Sequence, residues 1–222
     1  MTYQEQPTGV PGVVVWTKTG PTAGRILPDG CLDLLWDGTR LTVAGPDSRA
    51  RLHTSPPGTT YAALRLSAGT GPALLGVPAH LLRDTTPDLD DLWPHDAVRR
   101  LAEQVAGGGA AALARWVRAQ HPDPDPLGMR VLALAGAGAS VAAMADRLGL
   151  SPRQLHRRCL PVFGYGPRHL SRVLRLQRAL ATPGPLADVA HECGYADQAH
   201  LSREVRDLAG TTPTALRREL AG

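Results

Sequence analysis

With 222 residues and 43% hydrophobic content, the chain can bury a real core, as one large domain or two small ones. No stretch approaches the roughly 18 uncharged apolar residues of a membrane span, and the start MTYQEQPTGV lacks the basic and apolar regions of a signal peptide, so a cytoplasmic protein without a membrane partner is expected. The net charge of +4 is unevenly spread: eleven Lys and Arg face thirteen Asp and Glu up to Asp125, against thirteen and seven from Pro126 onward, the asymmetry of a phosphate-binding module joined to a neutral or acidic domain.

In chain order, Gly12 to Lys18, Cys31 to Trp36, Thr39 to Val43, Arg51 to Thr54 and Thr60 to Ser67 are short, rich in Val, Leu, Thr and aromatics, and separated by Gly, Pro and Asp turns. They predict a small antiparallel sheet or reduced barrel. After Ser67 the spacing turns helical, with Asp96 to Ala106 and Ala110 to Gln120 carrying apolar stripes at Leu101, Val105, Leu113, Trp116 and Val117. HPDPDP, His121 to Pro126, alternates three prolines and predicts a linker between an α+β domain of residues 1–120 and a domain of residues 127–222.

Beyond the linker only helices are expected, about seven: Leu127 to Ala137, Val141 to Leu148, Pro152 to Leu160, Pro167 to Ala181, Ala187 to Cys193, Gln198 to Leu208 and Pro213 to Leu220. Ser151 before Pro152, Asp197 before Gln198 and Thr212 before Pro213 mark starts, and Gly149, Gly164, Gly194 and Gly210 mark stops. Pro161 forfeits the bond to the Arg157 carbonyl and predicts that the third helix ends or kinks there, leaving it shorter than Gln198 to Leu208.

Two segments share one plan. In SVAAMADRLGLSPRQLHRRCL (Ser140 to Leu160), Val141, Met144, Ala145 and Leu148 form an i, i+3, i+4, i+7 stripe, Gly149 turns the chain, Leu150 plugs the junction and a polar helix follows. PLADVAHECGYADQAHLSREVRDL (Pro185 to Leu208) repeats it with Leu186, Val189, Ala190 and Cys193, then Gly194, Tyr195 and the cap Asp197. Each reads as a helix-turn-helix, whose second helix can lie in the DNA major groove while the first braces it. Any amphipathic helix pair with a glycine turn can mimic one such unit; two in order in the basic half are much stronger evidence. The Pro167 to Ala181 helix between them spans about 22 Å, compatible with recognition helices in successive major-groove segments about 34 Å apart.

GYADQAHLSREVRDLAGTTPTALRR, with Gly194, Tyr195, Leu201, Arg203, Gly210, Thr212 and Pro213, resembles the signature of the AraC/XylS family of bacterial transcription regulators, and the resemblance covers roughly Leu127 to Leu220. Val205 stands where the family usually has phenylalanine, and Cys159 replaces an aromatic. The resemblance implies a sequence-specific DNA-binding regulator, with activation of transcription among its expected roles and double-stranded DNA as partner. RNA polymerase, a small-molecule effector and a second copy of the chain are further candidate partners.

On the first recognition helix, Arg153, Gln154, His156 and Arg157 are the candidate DNA contacts. Arg pairs with guanine in bidentate fashion, and His or Gln read base edges or hold phosphates. On the second, the resemblance assigns base reading to Gln198, His200 and Arg203, with Ser202 and Arg206 better placed for phosphate. Among Arg168, Arg172, Arg175 and Arg178 on the connecting helix, Arg172 is favoured for phosphate. For any single residue the competing reading is a solvated charged face.

RILPDGCLDLLWDGTRLTVAGPD resembles N-terminal domains of one branch of the same family, which implies a barrel for an effector and helices for dimerisation. Trp16, Asp33, Trp36, His53 and Tyr61 are the candidate pocket groups. The competing readings are that the tryptophans are core, that Asp29 belongs to a PDG turn, and that this domain is an assembly module without ligand. An enzyme is the remaining class: His53 and Cys31 stand without a neighbouring base or metal cluster, so no catalytic residue, metal or cofactor is assigned. Cys31, Cys159 and Cys193 form no CxxC pair and are expected to be reduced.

Overall fold

The structure is a computed structural model that describes residues 2–20 and 22–221. Strands come first: β1 (Thr2–Pro7), β2 (Val13–Thr19), β3 (Thr22–Ile26), β4 (Leu32–Trp36), β5 (Leu41–Ala44), β6 (Arg51–Ser55) and β7 (Thr60–Leu66). All five predicted segments form strands, with ends shifted by up to two residues. β1 and β3 lacked a signal, because TYQEQP is polar and ends in proline and TAGRI is interrupted by Gly24; each owes its extended form to one antiparallel partner. Five strands make an antiparallel sheet in the order β1-β2-β7-β4-β5, while β3 and β6 pair separately as a two-stranded ribbon.

Alternation divides the large sheet into two faces. Val13, Val15, Leu32, Leu34, Trp36, Leu41, Val43, Ala62, Leu64 and Leu66 are buried in one core with Val98, Leu101, Val105, Leu113 and Val117 of the long helix that covers them. The opposite face carries Trp16, Lys18, Asp33, Leu35, Tyr61 and Arg65, where the register sets Lys18 beside Tyr61 and Arg65 beside Asp33.

α1 (Gly71–Leu75) and α2 (Ala79–Leu82) are short, and α3 (His95–Gln120) joins both predicted helices. The chain still breaks between them at Gly109, whose φ of 52° and ψ of −141° lie in a region open to glycine alone. The proline-rich segment separates α3 from α4 (Pro126–Gly136), whose first turn is capped by Asp125, accepting from the N–H groups of Leu127 and Gly128. Then follow α5 (Val141–Arg147), α6 (Pro152–Phe163), α7 (Pro167–Ala181), α8 (Leu186–Glu192), α9 (Gln198–Ala209) and α10 (Pro213–Ala221). No helix among the described residues is long and apolar enough to cross a membrane.

The expectation about Pro161 is corrected. α6 runs through it to Phe163, so α6 and α9 are each 12 residues long. One lost backbone bond costs about 1 kcal/mol, whereas burying Val162 and Phe163 in the last turn gains more, about 1.5–3 kcal/mol for a large apolar side chain. Gly164, with φ of 80°, then closes the helix by donating to the Leu160 carbonyl at 3.0 Å.

The helical half has two cores. Met144, Ala145, Leu155, Cys159, Phe163, Leu170 and Val173 fill the first, and Leu176, Val189, Ala190, Cys193, Leu201, Val205, Leu208 and Leu216 the second. Val205 and Cys159 thus occupy core positions, at 2% and 1% exposure. The N-terminal half docks on this one: Leu27 packs against the second core, Gln177 donates to the Pro28 carbonyl at 2.7 Å, and Arg83, just after α2, donates to the Gly164 carbonyl at 3.3 Å.

Candidate functional site

Both helix-turn-helix units are built by the same local devices. At the start of α6, the Ser151 hydroxyl accepts from the Gln154 N–H at 3.2 Å, and the Gln154 side chain returns an acceptor to the Ser151 N–H at 2.8 Å. Asp197 caps α9 by accepting from the His200 N–H. In the preceding turns, Leu150 N–H donates to the Ala145 carbonyl at 2.9 Å and Tyr195 N–H to the Ala190 carbonyl at 2.8 Å, the same bond five residues back in each unit. A repeated sequence plan has therefore produced a repeated backbone.

At 100° per residue, Arg153, His156 and Arg157 fall within an arc of about 100° on α6, opposite buried Leu155 and Cys159. All three are exposed. On α9 the matching arc holds Ser202, Arg203 and Arg206, with Gln198 at its edge; Gln198, Arg203 and Arg206 are exposed and Ser202 is half-buried. The structure therefore groups seven of the ten predicted DNA-contact residues on two equivalent surfaces.

The other three are placed differently. Gln154 commits one acceptor site of its carbonyl oxygen to the capping box, which leaves its NH2 as the donor group free to meet a base or phosphate. His200 turns back on its own unit: its Nδ1 accepts from the Ala196 N–H at 3.2 Å and its ring meets the edge of Tyr195 at 5.3 Å. The proton of the neutral ring consequently sits on Nε2. Arg172 does not reach outward. Its Nε donates to Glu204 at 3.1 Å and its Nη2 to Asp207, so the guanidinium ties α7 to the inner flank of α9. Charge alone could not separate a phosphate ligand from an interhelical tie, because Glu204 and Asp207 lie more than thirty positions downstream.

Glu204 is the hub of that tie. At 6% exposure it accepts from Arg172 and also from Arg175, whose Nη2 stands 2.7 Å away and whose guanidinium carbon lies 4.5 Å from the centre of the Tyr195 ring. Burial alone would lower the Arg172 pKa, but hydrogen bonds and charge from Asp207 and Glu204 raise it above its ordinary value. The hydrogen bond from Arg172, reinforced by Arg49, pulls the Asp207 carboxyl below its usual range. Arg178 donates to the Gly136 carbonyl at 2.8 Å. Arg168 is exposed and, among the described residues, has no carboxylate or carbonyl partner; together with Arg172, Arg175, Arg178 and His200 it borders a groove of about 630 Å3.

A second site lies in the N-terminal half. The polar face of the large sheet and the β3–β6 ribbon enclose a cavity of about 720 Å3. Trp16, Asp33, His53 and Tyr61 line it, as do Lys18, Arg51 and Arg65, which the sequence reading did not select. Lys18 offered a signal, being the sole lysine of the chain. Trp36 is the correction here: it sits on the opposite face, 9% exposed in the core beneath α3. A strand with period two cannot aim both Asp33 and Trp36 into one pocket.

Within the cavity, the Trp16 indole N–H donates to Asp33 Oδ1 at 2.8 Å, and Arg65 donates to the same oxygen at 3.3 Å. Burial pushes the Asp33 carboxyl up, against the pull of Arg65 and Trp16. Burial also lowers the His53 pKa, aided by the charges of Arg51 and Lys18, and the ring centres of His53 and Tyr61 are 6.2 Å apart. Asp29 belongs to the turn before β4, where it accepts from the Cys31 N–H at 2.8 Å. Burial raises the Cys31 thiol well above its ordinary value and that of Cys159 to about 12, so neither is a thiolate near neutrality.

Residues 144–219 match the family model described as a helix-turn-helix domain, and residues 13–88 match that of a domain of unknown function, DUF6597. The HTH-type transcriptional activator RhaS of Pectobacterium carotovorum subsp. carotovorum (strain PC1) is 32% identical over 81 residues, which span 35% of this chain and 29% of that protein. The chain thus covers under a third of that relative's length. Two structures of ToxT from Vibrio cholerae share the fold over the whole chain. One has a TM-score of 0.52 at 11% identity and covers 100% of both chains; the other, bound to (E)-4-(8-methylnaphthalen-1-yl)but-3-enoic acid, has a TM-score of 0.51 at 11% identity over 99% of this chain and 100% of that one.

Proposed function

We propose that this chain, which belongs to the AraC/XylS family through its C-terminal helix-turn-helix domain, is a transcription regulator that binds specific DNA sequences through α6 and α9. The observation that carries the reading is the pair of equivalent arcs, Arg153–His156–Arg157 and Ser202–Arg203–Arg206, on two helices of equal length with the 15-residue α7 between them. Each recognition helix enters one of two successive major-groove segments. Gln198 and Arg203 read bases, Arg206 and Ser202 hold phosphate, and Arg168, without a carboxylate or carbonyl partner among the described residues, takes the phosphate role first given to Arg172.

Residues 1–120 act as the sensing domain, residues 121–126 as linker and residues 127–222 as the DNA-binding domain. The cavity between the sheet and the ribbon is the effector site. Its volume fits the range of small-molecule pockets, with the aromatic and apolar floor of Trp16, Tyr61 and Leu35 and a few convergent polar groups. A small organic ligand in ToxT, a protein of the same fold, supports this assignment. The activity is binding rather than catalysis, and it takes place in the cytoplasm.

Selection of bound sequences from random DNA, followed by competition against bulk DNA at moderate salt, tests the reading. A two-part motif with its segments one helical turn apart is expected, bound at least a thousandfold more tightly than bulk DNA. Equal affinity for every sequence refutes it.

A further inference from the structure

The loop between β5 and β6 touches, within residues 46–50, the end of α6, the first turn of α7 and the end of α9. Pro46 lies against the end of α6: a Cβ on Gly164 would stand 2.7 Å from its Cγ, so only glycine permits this approach. Ser48 is pinned by Asp84, which accepts from its N–H at 2.6 Å and from its hydroxyl at 2.9 Å, and its backbone lies close to the His169 ring in the first turn of α7. Arg49 reaches Asp207 of α9 at 2.9 Å. Ala50 donates its N–H to the Leu208 carbonyl at 2.7 Å, and Asp47 pairs back to Arg51 at 3.1 Å.

The contacts at α9 have a specific character. The last carbonyls of a helix have no partner within it, and its C-terminus carries partial negative charge. The Leu208 carbonyl is satisfied by Ala50, and the Ala209 carbonyl by Arg25 of β3 at 2.8 Å, which also pairs with Glu219 of α10 at 3.0 Å. The C-terminal end of the second recognition helix is therefore capped by the N-terminal half, and that of the first is buttressed by Pro46 and by Arg83.

We propose that the Pro46–Ala50 loop is a positioning element for DNA recognition: it holds the C-terminal ends of α6 and α9 at a fixed separation, and Arg49, acting through Asp207, is its principal residue. This rests on the reading of α6 and α9 as recognition helices. A helix held at its C-terminal end while its N-terminal half meets the bases is a lever, so a small shift of the loop becomes a change in the DNA spacing that both helices fit together. Asp47 of the loop and its partner Arg51 at the start of β6 also line the cavity, so an occupant that engages this pair acts on the spacing directly.

The test uses the full chain with spin labels on exposed Arg158→Cys of α6 and Ala199→Cys of α9, in a Cys31→Ser background, and measures their distance distribution without DNA. Wild-type and Arg49→Lys chains are expected to give one narrow distance. Arg49→Glu, which sets a carboxylate beside Asp207, and Ala50→Pro, which removes the donor to Leu208, are expected to broaden and shift it, with helical content unchanged. On the selected DNA motif, the same two variants should lose at least fivefold of the wild-type discrimination against a one-base-pair insertion between the segments, which Arg49→Lys retains. Unchanged distances in both folded variants, or a uniform loss of binding with spacing discrimination intact, overturn the proposal. A wild-type chain with no sequence preference overturns the DNA reading instead, and the distance measurement still decides whether the loop sets the helix separation.

Discussion

Replacing Glu204 with alanine removes the carboxylate that holds α9 to α7. Glu204 is 6% exposed and accepts from Arg172 at 3.1 Å and Arg175 at 2.7 Å. Deleting one partner of a buried ion pair typically costs about 3–5 kcal/mol, because the remaining charge stays desolvated. Here both arginines keep about a quarter of their side-chain surface in solvent, at 26% and 25%, and Arg172 retains Asp207, so the loss is smaller. We expect about 2–3 kcal/mol, a fall in melting midpoint of about 5–10 °C for a chain of this length. Glu204→Gln keeps the shape and one acceptor and should lose about 1–2 kcal/mol. Scanning calorimetry gives the midpoint, and fluorescence anisotropy on the selected DNA should show specific binding weakened in the same order, Ala below Gln below wild type. An alanine variant that melts within about 1 °C of wild type would refute the argument, since a buried hub cannot vanish at no cost.

Arg203→Ala is expected to weaken specific binding about tenfold to a hundredfold, with an unchanged melting midpoint, as suits an exposed residue proposed to read bases; Arg172→Ala should do the reverse, lowering the midpoint while leaving the salt dependence of DNA binding as it was. Removing the α6 cap by Ser151→Ala should cost about 1 kcal/mol in urea unfolding. Stability should also depend on pH near neutrality. Burial, reinforced by the nearby Arg172 charge and opposed by the Ser48 backbone, Asp84 and Asp207, holds the His169 pKa below its ordinary 6.5, so the unfolded chain takes up this proton first. The contribution is complete above pH 6.5 and falls as the pH drops from there through the folded value; His169→Gln should flatten that part of a melting-temperature profile, leaving the His53 share, which has the same sign.

Local chemistry was legible in the sequence wherever the signal lay within a few residues. Ser151, Asp197 and Gly164 marked helix ends, and the i, i+3, i+4, i+7 stripes gave both helix-turn-helix units. Where a residue's fate depends on a distant partner, the sequence was mute. Arg172 looked like any outward arginine until Glu204 and Asp207 were seen beside it, and β3 exists only because β6 pairs with it. Pro161 misled for a related reason: the local rule against proline is outweighed by the burial of Phe163, a tertiary fact. Trp36 was a lapse of a different kind, since the alternation that sets it apart from Asp33 was already present in the strand.

The β3–β6 ribbon, which walls the cavity with Gly24, Ile26, Arg51 and His53 while Arg25 grips the end of α9, belongs to both sites at once. Thermodynamic linkage then runs in both directions. If an occupant of the cavity alters the affinity for an operator by some factor, that operator alters the affinity for the occupant by the same factor. On the proposed reading, sensitivity is then not a property of the protein alone: each DNA site would set the concentration at which an effector acts, and two sites of different strength would read one concentration differently.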